Sequence, residues 1–213
     1  LGYNTVFMWA WKYREPILDL FEMITGNRNS YAMFKVGGVR RDIEESKIPV
    51  ILKAMSDVKQ KISLPVLRKD FVIDPLQIYE TRAIGADAIL LIVRLLRERL
   101  AEFIHLSKEL ELSPLVEVNA QDELEVALAA DAEIIGINNR NLDTFVTDIN
   151  TSRELKKKIP AGAAVVAESG IHSRKDIELL MQAGIKAFLI GEALITAPDT
   201  GKKLKEFIGN GDK

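Results

Sequence analysis

The sequence feature that most constrains the fold is a short apolar run that recurs six times between residues 64 and 190. The runs lie roughly 20–30 residues apart, the length of a strand followed by a crossover helix and its turns. The apolar residues within each run are consecutive rather than alternating, as in strands covered on both faces. The runs therefore predict six β/α units, with strands at Pro65–Leu67, Ala88–Val93, Leu115–Val118, Ile134–Ile137, Ala164–Ala167 and Ala187–Ile190.

Helical patterns fill the gaps between these runs and carry the residues that begin and end helices. Asp74, with the proline after it, is typical of an N-cap, and Ser/Thr capping boxes are predicted to start at Thr151 and Ser173. Gly85 and Gly184 are placed to end helices before the next strand. The predicted helices are Pro75–Gly85, Arg97–Leu110, Asp122–Ala129, Ser152–Lys158, Lys175–Gln182 and Gly201–Ile208.

A parallel array of this kind either closes into a barrel or opens as a doubly wound sheet. A doubly wound nucleotide-binding fold normally has a G-x-G-x-x-G turn after its first strand, and this sequence has none. Polar residues instead follow most of the predicted strands, whose ends converge on one rim in a barrel. The pattern favours an α/β fold of the (β/α)8 TIM-barrel type, incomplete in that six regular units follow an atypical N-terminal segment.

Composition excludes several classes of protein. The 213 residues have a net charge of −2, so no basic surplus points to nucleic acid. No apolar run is long enough to span a membrane, and no cysteine is available for disulfides or thiolate metal sites. The N-terminus has no signal-peptide pattern and begins with leucine rather than methionine, so we expect a fragment or processed product in the cytoplasm.

Three charged residues at strand ends are the candidate acid–base groups. Lys69, Glu117 and Glu168 place an ammonium beside two carboxylates, an arrangement that can separate pKa values and divide acid from base roles. Taken singly, each is equally typical of a solvated charge at a loop start. Their recurrence at equivalent positions of successive units favours a shared site.

The last two strand ends carry the sequences Ser169–Gly170 and Gly191–Glu192. Backbone amides beside glycine can hold a phosphate, and barrels often bind phosphate after their final strands. Ordinary tight turns are the alternative. No P-loop, metal-ligand cluster or Ser/His/Asp elbow competes with a phosphate site.

Five segments, taken in order from about residue 63 to residue 208, resemble indole-3-glycerol phosphate synthase of the tryptophan pathway. They are LPVLRKDFVIDPLQIYE, SPLVEVN, IIGINNRNLDTF, VVAESGIHSRKDIELL and AFLIGEALI. The resemblance implies a TIM barrel that closes the indole ring of a carboxyphenylamino-deoxyribulose phosphate, with loss of carbon dioxide and water. It implies no cofactor and no metal; the partner would be this small phosphorylated substrate, with neither nucleic acid nor membrane involved.

The same resemblance implies roles for individual residues. Lys69 would be the general acid that protonates the substrate ketone, Glu117 would assist that step and the dehydration, and Glu168 would lie at the reacting end. Residues implied to bind the substrate are Asn138, Arg140 and Ser169, with Arg140 meeting an anionic group. Residues implied to contact phosphate through the backbone are Gly170, Gly191 and Glu192.

Residues 1–62 do not carry the two β/α units with which that family begins, the first of which has a Glu-x-Lys pair followed by a Ser-Pro-Ser phosphate motif. Without this lysine, we predict low or lost activity. The segments REPILDLFEMITG and VGGVRRDI instead resemble the large subunit shared by respiratory complex I and membrane-bound hydrogenases, without the cysteines of a nickel–iron site. We expect a boundary near residues 62–64. The alternative hypotheses are a non-catalytic chimera or scaffold piece, and a different phosphate-sugar barrel enzyme such as an isomerase.

Two interpretations of this N-terminal segment remain open. Pattern alone predicts strands at Asn4–Trp11 and Tyr31–Val39 and helices at Pro16–Thr25 and Ile48–Ile62, which would complete eight units. The resemblance implies instead that residues 5–25 are largely one helix and that Gly37–Gly38 is a turn.

Overall fold

The computed structural model describes the short strands at residues 34–35 and 38–39, residues 64–142 and residues 144–209. The chain divides into two compact units: residues 1–66 with 83–85, and residues 67–82 with 86–213. In the first unit, β1 (Phe34–Lys35) pairs antiparallel with β2 (Gly38–Val39) in a two-stranded sheet.

This pairing corrects one sequence interpretation. A single continuous strand over Tyr31–Val39 is wrong, because β1 and β2 pair with each other in opposite directions. Gly38 itself belongs to the second strand of the pair. The elements predicted at Asn4–Trp11, Pro16–Thr25 and Ile48–Ile62 lie outside the described residues.

The second unit contains a parallel sheet in which six strands lie in chain order. A strand is present for each of the six predicted runs, although the first lies at Leu67–Arg68 rather than Pro65–Leu67. The unbroken order is that of consecutive β/α units of a barrel. The strands are β3 (Leu67–Arg68), β4 (Ala88–Ile92), β5 (Ser113–Val118), β6 (Ile134–Asn138), β7 (Ala164–Glu168) and β8 (Ala187–Leu189).

Helices follow each strand of this sheet. They are α1 (Pro75–Ala83), α2 (Val93–Leu96), α3 (Leu100–Glu109), α4 (Gln121–Ala129), α5 (Asn150–Lys156), α6 (Arg174–Gln182), α7 (Glu192–Ile195) and α8 (Thr200–Ile208). The helix predicted over Arg97–Leu110 begins at Leu100 as α3, after a 3-10 turn at Arg97–Arg99 that separates it from α2; the φ of Arg97 is 43°. Gly85 and Gly184 have φ of 80° and 81°, which confirms their role at helix ends. None of the described helices is long and apolar enough to cross a membrane.

One of the two predicted capping boxes is present. Ser173 and Asp176 cap α6 reciprocally, each side chain accepting from the other residue's backbone N–H. The box predicted at Thr151 is wrong, because α5 begins at Asn150 and Thr151 already lies within its first turn. The Asp148 carboxylate accepts from the backbone N–H of Asn150 at 2.9 Å instead.

Alternate residues along the strands contribute to two apolar clusters. Ile89, Val116 and Ile135 belong to the larger cluster, which also includes the apolar faces of the helices. Leu90 and Leu115 belong to a smaller cluster on the other face of the sheet. Burial on both faces explains why the strands read as consecutive apolar residues.

The smaller cluster gives way to polar residues toward the carboxyl ends of the strands. Because side chains on a strand alternate, Glu117 shares the face of Leu115, and Glu168 shares the face of Val166. Asn138 pairs in register with Glu168 across β6 and β7. This face of the sheet therefore presents the predicted catalytic residues together.

Candidate active site

The three residues predicted to be catalytic meet at the carboxyl ends of three strands. Lys69 directly follows β3, and its Nζ lies 3.2 Å from Oε2 of Glu117 and 3.1 Å from Oε2 of Glu168. The Glu117 and Glu168 side chains are 4% and 1% exposed, whereas that of Lys69 is 43% exposed. The two carboxylates are therefore not solvated rim charges, and the cluster reaches solvent through the lysine.

Burial and proximity shift the proton affinities of this cluster. Burial raises the pKa of Glu168 to about 7, with the Glu117 carboxylate adding to the effect and Lys69 opposing it. For Lys69, burial acts to lower the pKa, but the attraction of Glu117 and Glu168 outweighs it and the pKa lies above its usual value. The site thus holds a firmly protonated ammonium beside a carboxyl group that changes charge near neutral pH.

The Glu168 carboxyl group fits only because residue 136 is glycine. A Cβ built on Gly136 would lie 2.1 Å from Oε1 of Glu168 and 3.2 Å from its Cδ. This Oε1 is buried and has no hydrogen-bond partner within the described part of the chain. Sequence reasoning missed Gly136, although a lone glycine inside an apolar strand indicates a close approach of another group.

Asn138 and Arg140 lie next to the cluster, as the sequence predicted. The Asn138 side-chain amide donates to Oε1 of Glu117 at 3.0 Å, and its Oδ1 accepts from the backbone N–H of Arg140 at 3.0 Å. The Arg140 Nη2 lies 2.5 Å from Oε2 of Glu192, at the start of α7. The arginine predicted to meet an anion is thus paired with a carboxylate that follows the end of β8.

The residues predicted to contact phosphate lie directly after β7 and at the start of α7. Ser169 and Gly170 follow β7 with φ of 62° and 71°, and a Cβ on Gly170 would lie 2.5 Å from Cγ2 of Thr147. Glycine is required there by both conformation and space. Gly191 directly precedes α7, and nothing lies within 4 Å of its Cβ position. No group of three or more His, Cys, Asp or Glu side chains that could hold a metal is found in residues 64–142 and 144–209.

Sequence reasoning also missed two asparagines that bridge neighbouring strand ends. The Asn119 side-chain amide donates to the carbonyl oxygen of Asn138 at 2.7 Å, and that of Asn139 donates to the carbonyl oxygen of Ser169 at 3.0 Å. The signal that could have identified them is an asparagine, a side-chain hydrogen-bond donor, directly after β5 and again directly after β6.

Solved structures of similar shape support the barrel architecture. The 3-hexulose-6-phosphate synthase from Salmonella typhimurium aligns with a TM-score of 0.64 at 16% identity, covering 73% of this chain and 77% of that one. A thiamine phosphate pyrophosphorylase from Pyrococcus furiosus aligns with a TM-score of 0.61 at 15% identity, covering 92% and 87%. At these identities the likeness concerns the fold alone.

Curated relatives are much closer in sequence. Indole-3-glycerol phosphate synthase from Legionella pneumophila (strain Paris) is 52% identical over 151 residues, which is 70% of this chain and 58% of that protein. The enzyme of the same name from Carboxydothermus hydrogenoformans is 50% identical over 159 residues, 74% of this chain and 59% of that protein. This chain therefore spans about three-fifths of the length of these relatives.

Two family models match different parts of the chain. The model described as "Respiratory-chain NADH dehydrogenase, 49 Kd subunit" matches residues 1–82. The model described as "Indole-3-glycerol phosphate synthase" matches residues 51–207, most of the chain and all six strands of the parallel sheet. On this match and the relatives above, the chain belongs to the indole-3-glycerol phosphate synthase family.

Proposed function

We propose that residues 64–209 carry the acid–base half of an indole-3-glycerol phosphate synthase site, and that the full chain turns over slowly. The reaction is the ring closure of a carboxyphenylamino-deoxyribulose phosphate, with loss of carbon dioxide and water. The observation that carries the proposal is the contact of Lys69 Nζ with both Glu117 and Glu168.

The charges of the cluster suit the steps of this reaction. Lys69 stays protonated and half-exposed, so its ammonium can donate a proton to the substrate ketone as the carbon–carbon bond forms. The buried Glu117 and Glu168 carboxylates can stabilise the positive charge that develops on the anilino nitrogen. With a pKa of about 7, Glu168 can also give up and regain a proton during the dehydration.

Substrate contacts are proposed for the residues around the cluster. Arg140 would exchange Glu192 for an anionic group of the substrate, because both partners of that ion pair are partly exposed. Asn138 would orient Glu117 through the hydrogen bond it already makes. Backbone groups at Ser169–Gly170 and Gly191–Glu192 would contact the phosphate.

Slow turnover is proposed because residues 1–62 contain no Glu-x-Lys pair followed by the family's Ser-Pro-Ser motif. Loss of one catalytic group in such a site removes several kcal/mol, on the order of 10²–10⁴-fold in rate.

The test is an assay of indole-glycerol phosphate formation by the full chain and by its Lys69→Met variant. We expect slow product formation that falls by about 10²-fold or more in the variant, because the proton donor is gone. Lys108→Met is the matched control, because Lys108 is 40% exposed, pairs with Glu133 at 2.6 Å and has no proposed role in the reaction. Equal rates in wild type and Lys69→Met, or no product from the folded wild-type chain, would reject the catalytic proposal.

A second candidate function rests on the match of residues 1–82 to the 49 Kd subunit model. We propose that the chain is a chimera with its boundary near residues 62–64, inside the overlap of the two family matches at residues 51–82. The N-terminal part would then be a scaffold piece of a respiratory-type complex. Sequencing the source DNA across this boundary tests the joining, and co-purification with subunits of that complex tests the scaffold role.

A further inference from the structure

Asn139 lies one residue beyond β6 and uses every one of its polar groups. Its backbone N–H donates to the carbonyl of Glu168 at 2.8 Å, and its carbonyl accepts from Asp148 at 2.9 Å. Its side-chain Oδ1 accepts from the backbone N–H of Ser152 at 3.0 Å, and its Nδ2 donates to the carbonyl of Ser169 at 3.0 Å. The residue is 1% exposed, so these bonds are shielded from water.

These bonds hold the end of β7 at Glu168 and the residue that follows it, Ser169. Ser169 has a φ of 62°, a left-handed conformation that costs free energy for a residue with a side chain. The Asn139 side chain bonds the carbonyl of this strained residue, and the Asn139 backbone bonds the carbonyl of Glu168. The bond to Ser169 therefore continues the strand ladder past the last backbone pair, Asn138 with Glu168.

The same device occurs one strand earlier in the sheet. Asn119 follows β5 and donates its side-chain amide to the carbonyl of Asn138 at 2.7 Å. Two successive strand ends are thus joined to their neighbours by an asparagine amide rather than by backbone alone. The repetition indicates that both asparagines have the same role, which is to fix the spacing between the strand ends that carry the acid–base groups.

We propose that Asn139 is a positioning residue that holds the Glu168 carboxyl group in its dry pocket against Lys69 and Glu117. The proposal deepens the proposed function, because it assigns a residue that acts on the cluster without touching substrate. Without the Asn139 side chain, the Ser169 turn loses its anchor and water reaches Glu168. The charged groups that face Glu168 are Lys69, after β3, and Glu117, on β5.

The experiment titrates Glu168 in the full chain by carbon NMR, with glutamate labelled at the carboxyl carbon and the signal assigned from Glu168→Gln. In the wild type we expect a midpoint near 7. In Asn139→Ala the midpoint should move down by about 1 unit or more, because hydration favours the charged carboxylate. Ser152→Ala is the matched control: its buried hydroxyl has no partner in the described residues, and its backbone N–H to Asn139 remains.

The NMR reading separates this inference from the catalytic proposal. A wild-type midpoint near 7 that falls in Asn139→Ala and not in Ser152→Ala supports positioning, even if the chain makes no product. An unchanged midpoint in folded Asn139→Ala overturns it, as does an ordinary wild-type midpoint. If Asn139→Ala does not fold, Asn139→Ser, whose hydroxyl is too short to reach Ser169, is judged by the same shift. If the chain is active, positioning further predicts a fall in kcat of about tenfold with little change in KM.

Discussion

Two pairings of a cation with carboxylates lie at the strand ends, and they differ in burial. In the Lys69–Glu117–Glu168 cluster the carboxylates are 4% and 1% exposed. In the Arg140–Glu192 pair the side chains are 37% and 59% exposed. Burial raises the pKa of Glu168 in the first cluster to about 7 against the opposing effect of Lys69, whereas the second pair is partly exposed to solvent. Exclusion of water, rather than the presence of a nearby cation, therefore distinguishes the buried cluster from the exposed pair.

The largest effect should come from the pH dependence of stability. The pKa of Glu168 is about 7 in the folded chain and 4.5 as its ordinary value, so between these limits the folded state holds a proton that the unfolded state has lost. The free energy of unfolding should therefore fall as pH rises through this range, by up to about 3 kcal/mol. Glu168→Gln should lose this slope and be more stable than wild type above pH 7.

Urea unfolding of wild type and Glu168→Gln at several pH values measures this effect. If the free energy of unfolding varied with pH in the same way in both proteins, burial would not raise the pKa of Glu168. The contrast with the exposed pair would then disappear.

A smaller effect should follow from filling the space beside Glu168. Gly136→Ala places a Cβ 2.1 Å from the present position of Oε1, so either the carboxyl group or the strand must move. We expect a loss of about 1–3 kcal/mol in the free energy of unfolding. Gly162→Ala is the control, since nothing lies within 4 Å of its Cβ position, and should change stability by less than about 0.5 kcal/mol. Equal effects of the two substitutions would contradict a close fit around Glu168.

The smallest effect should come from the exposed pair. Glu192→Gln removes the partner of Arg140, and we expect the free energy of unfolding to change by less than about 0.5 kcal/mol, because solvent screens both charges. Thermal unfolding at low and high salt measures the change. A loss above about 1 kcal/mol that disappears in salt would show that the exposed pair contributes as strongly as a buried one.

The apolar runs predicted the strands well because each face of the sheet is buried against its own apolar cluster. Ile89 and Leu90 are neighbours in sequence, yet one belongs to the helix-side cluster and the other to the cluster on the opposite face. Both need apolar side chains, so the run stays continuous and recognisable. The capping box predicted at Thr151 is absent because α5 already begins at Asn150, whose backbone N–H donates to the Asp148 carboxylate.

The candidate site was predicted only as a set of residues at strand ends. Lys69, Glu117 and Glu168 were identified, but Gly136 and Asn139 were not, since neither carries a charge or a recognisable motif. Their roles follow from distances to residues far away in the chain, such as the contact between Gly136 and the Glu168 carboxyl group.

By itself the sequence determined the β/α succession, the family and the residue types placed at the strand ends, because these are local patterns of apolar and polar residues. The tertiary structure alone decided which of the charged side chains are buried and which are exposed to solvent. Burial depends on what the neighbouring strands bring into contact, and burial is what moves the pKa of Glu168 to about 7 and leaves Glu192 half in water.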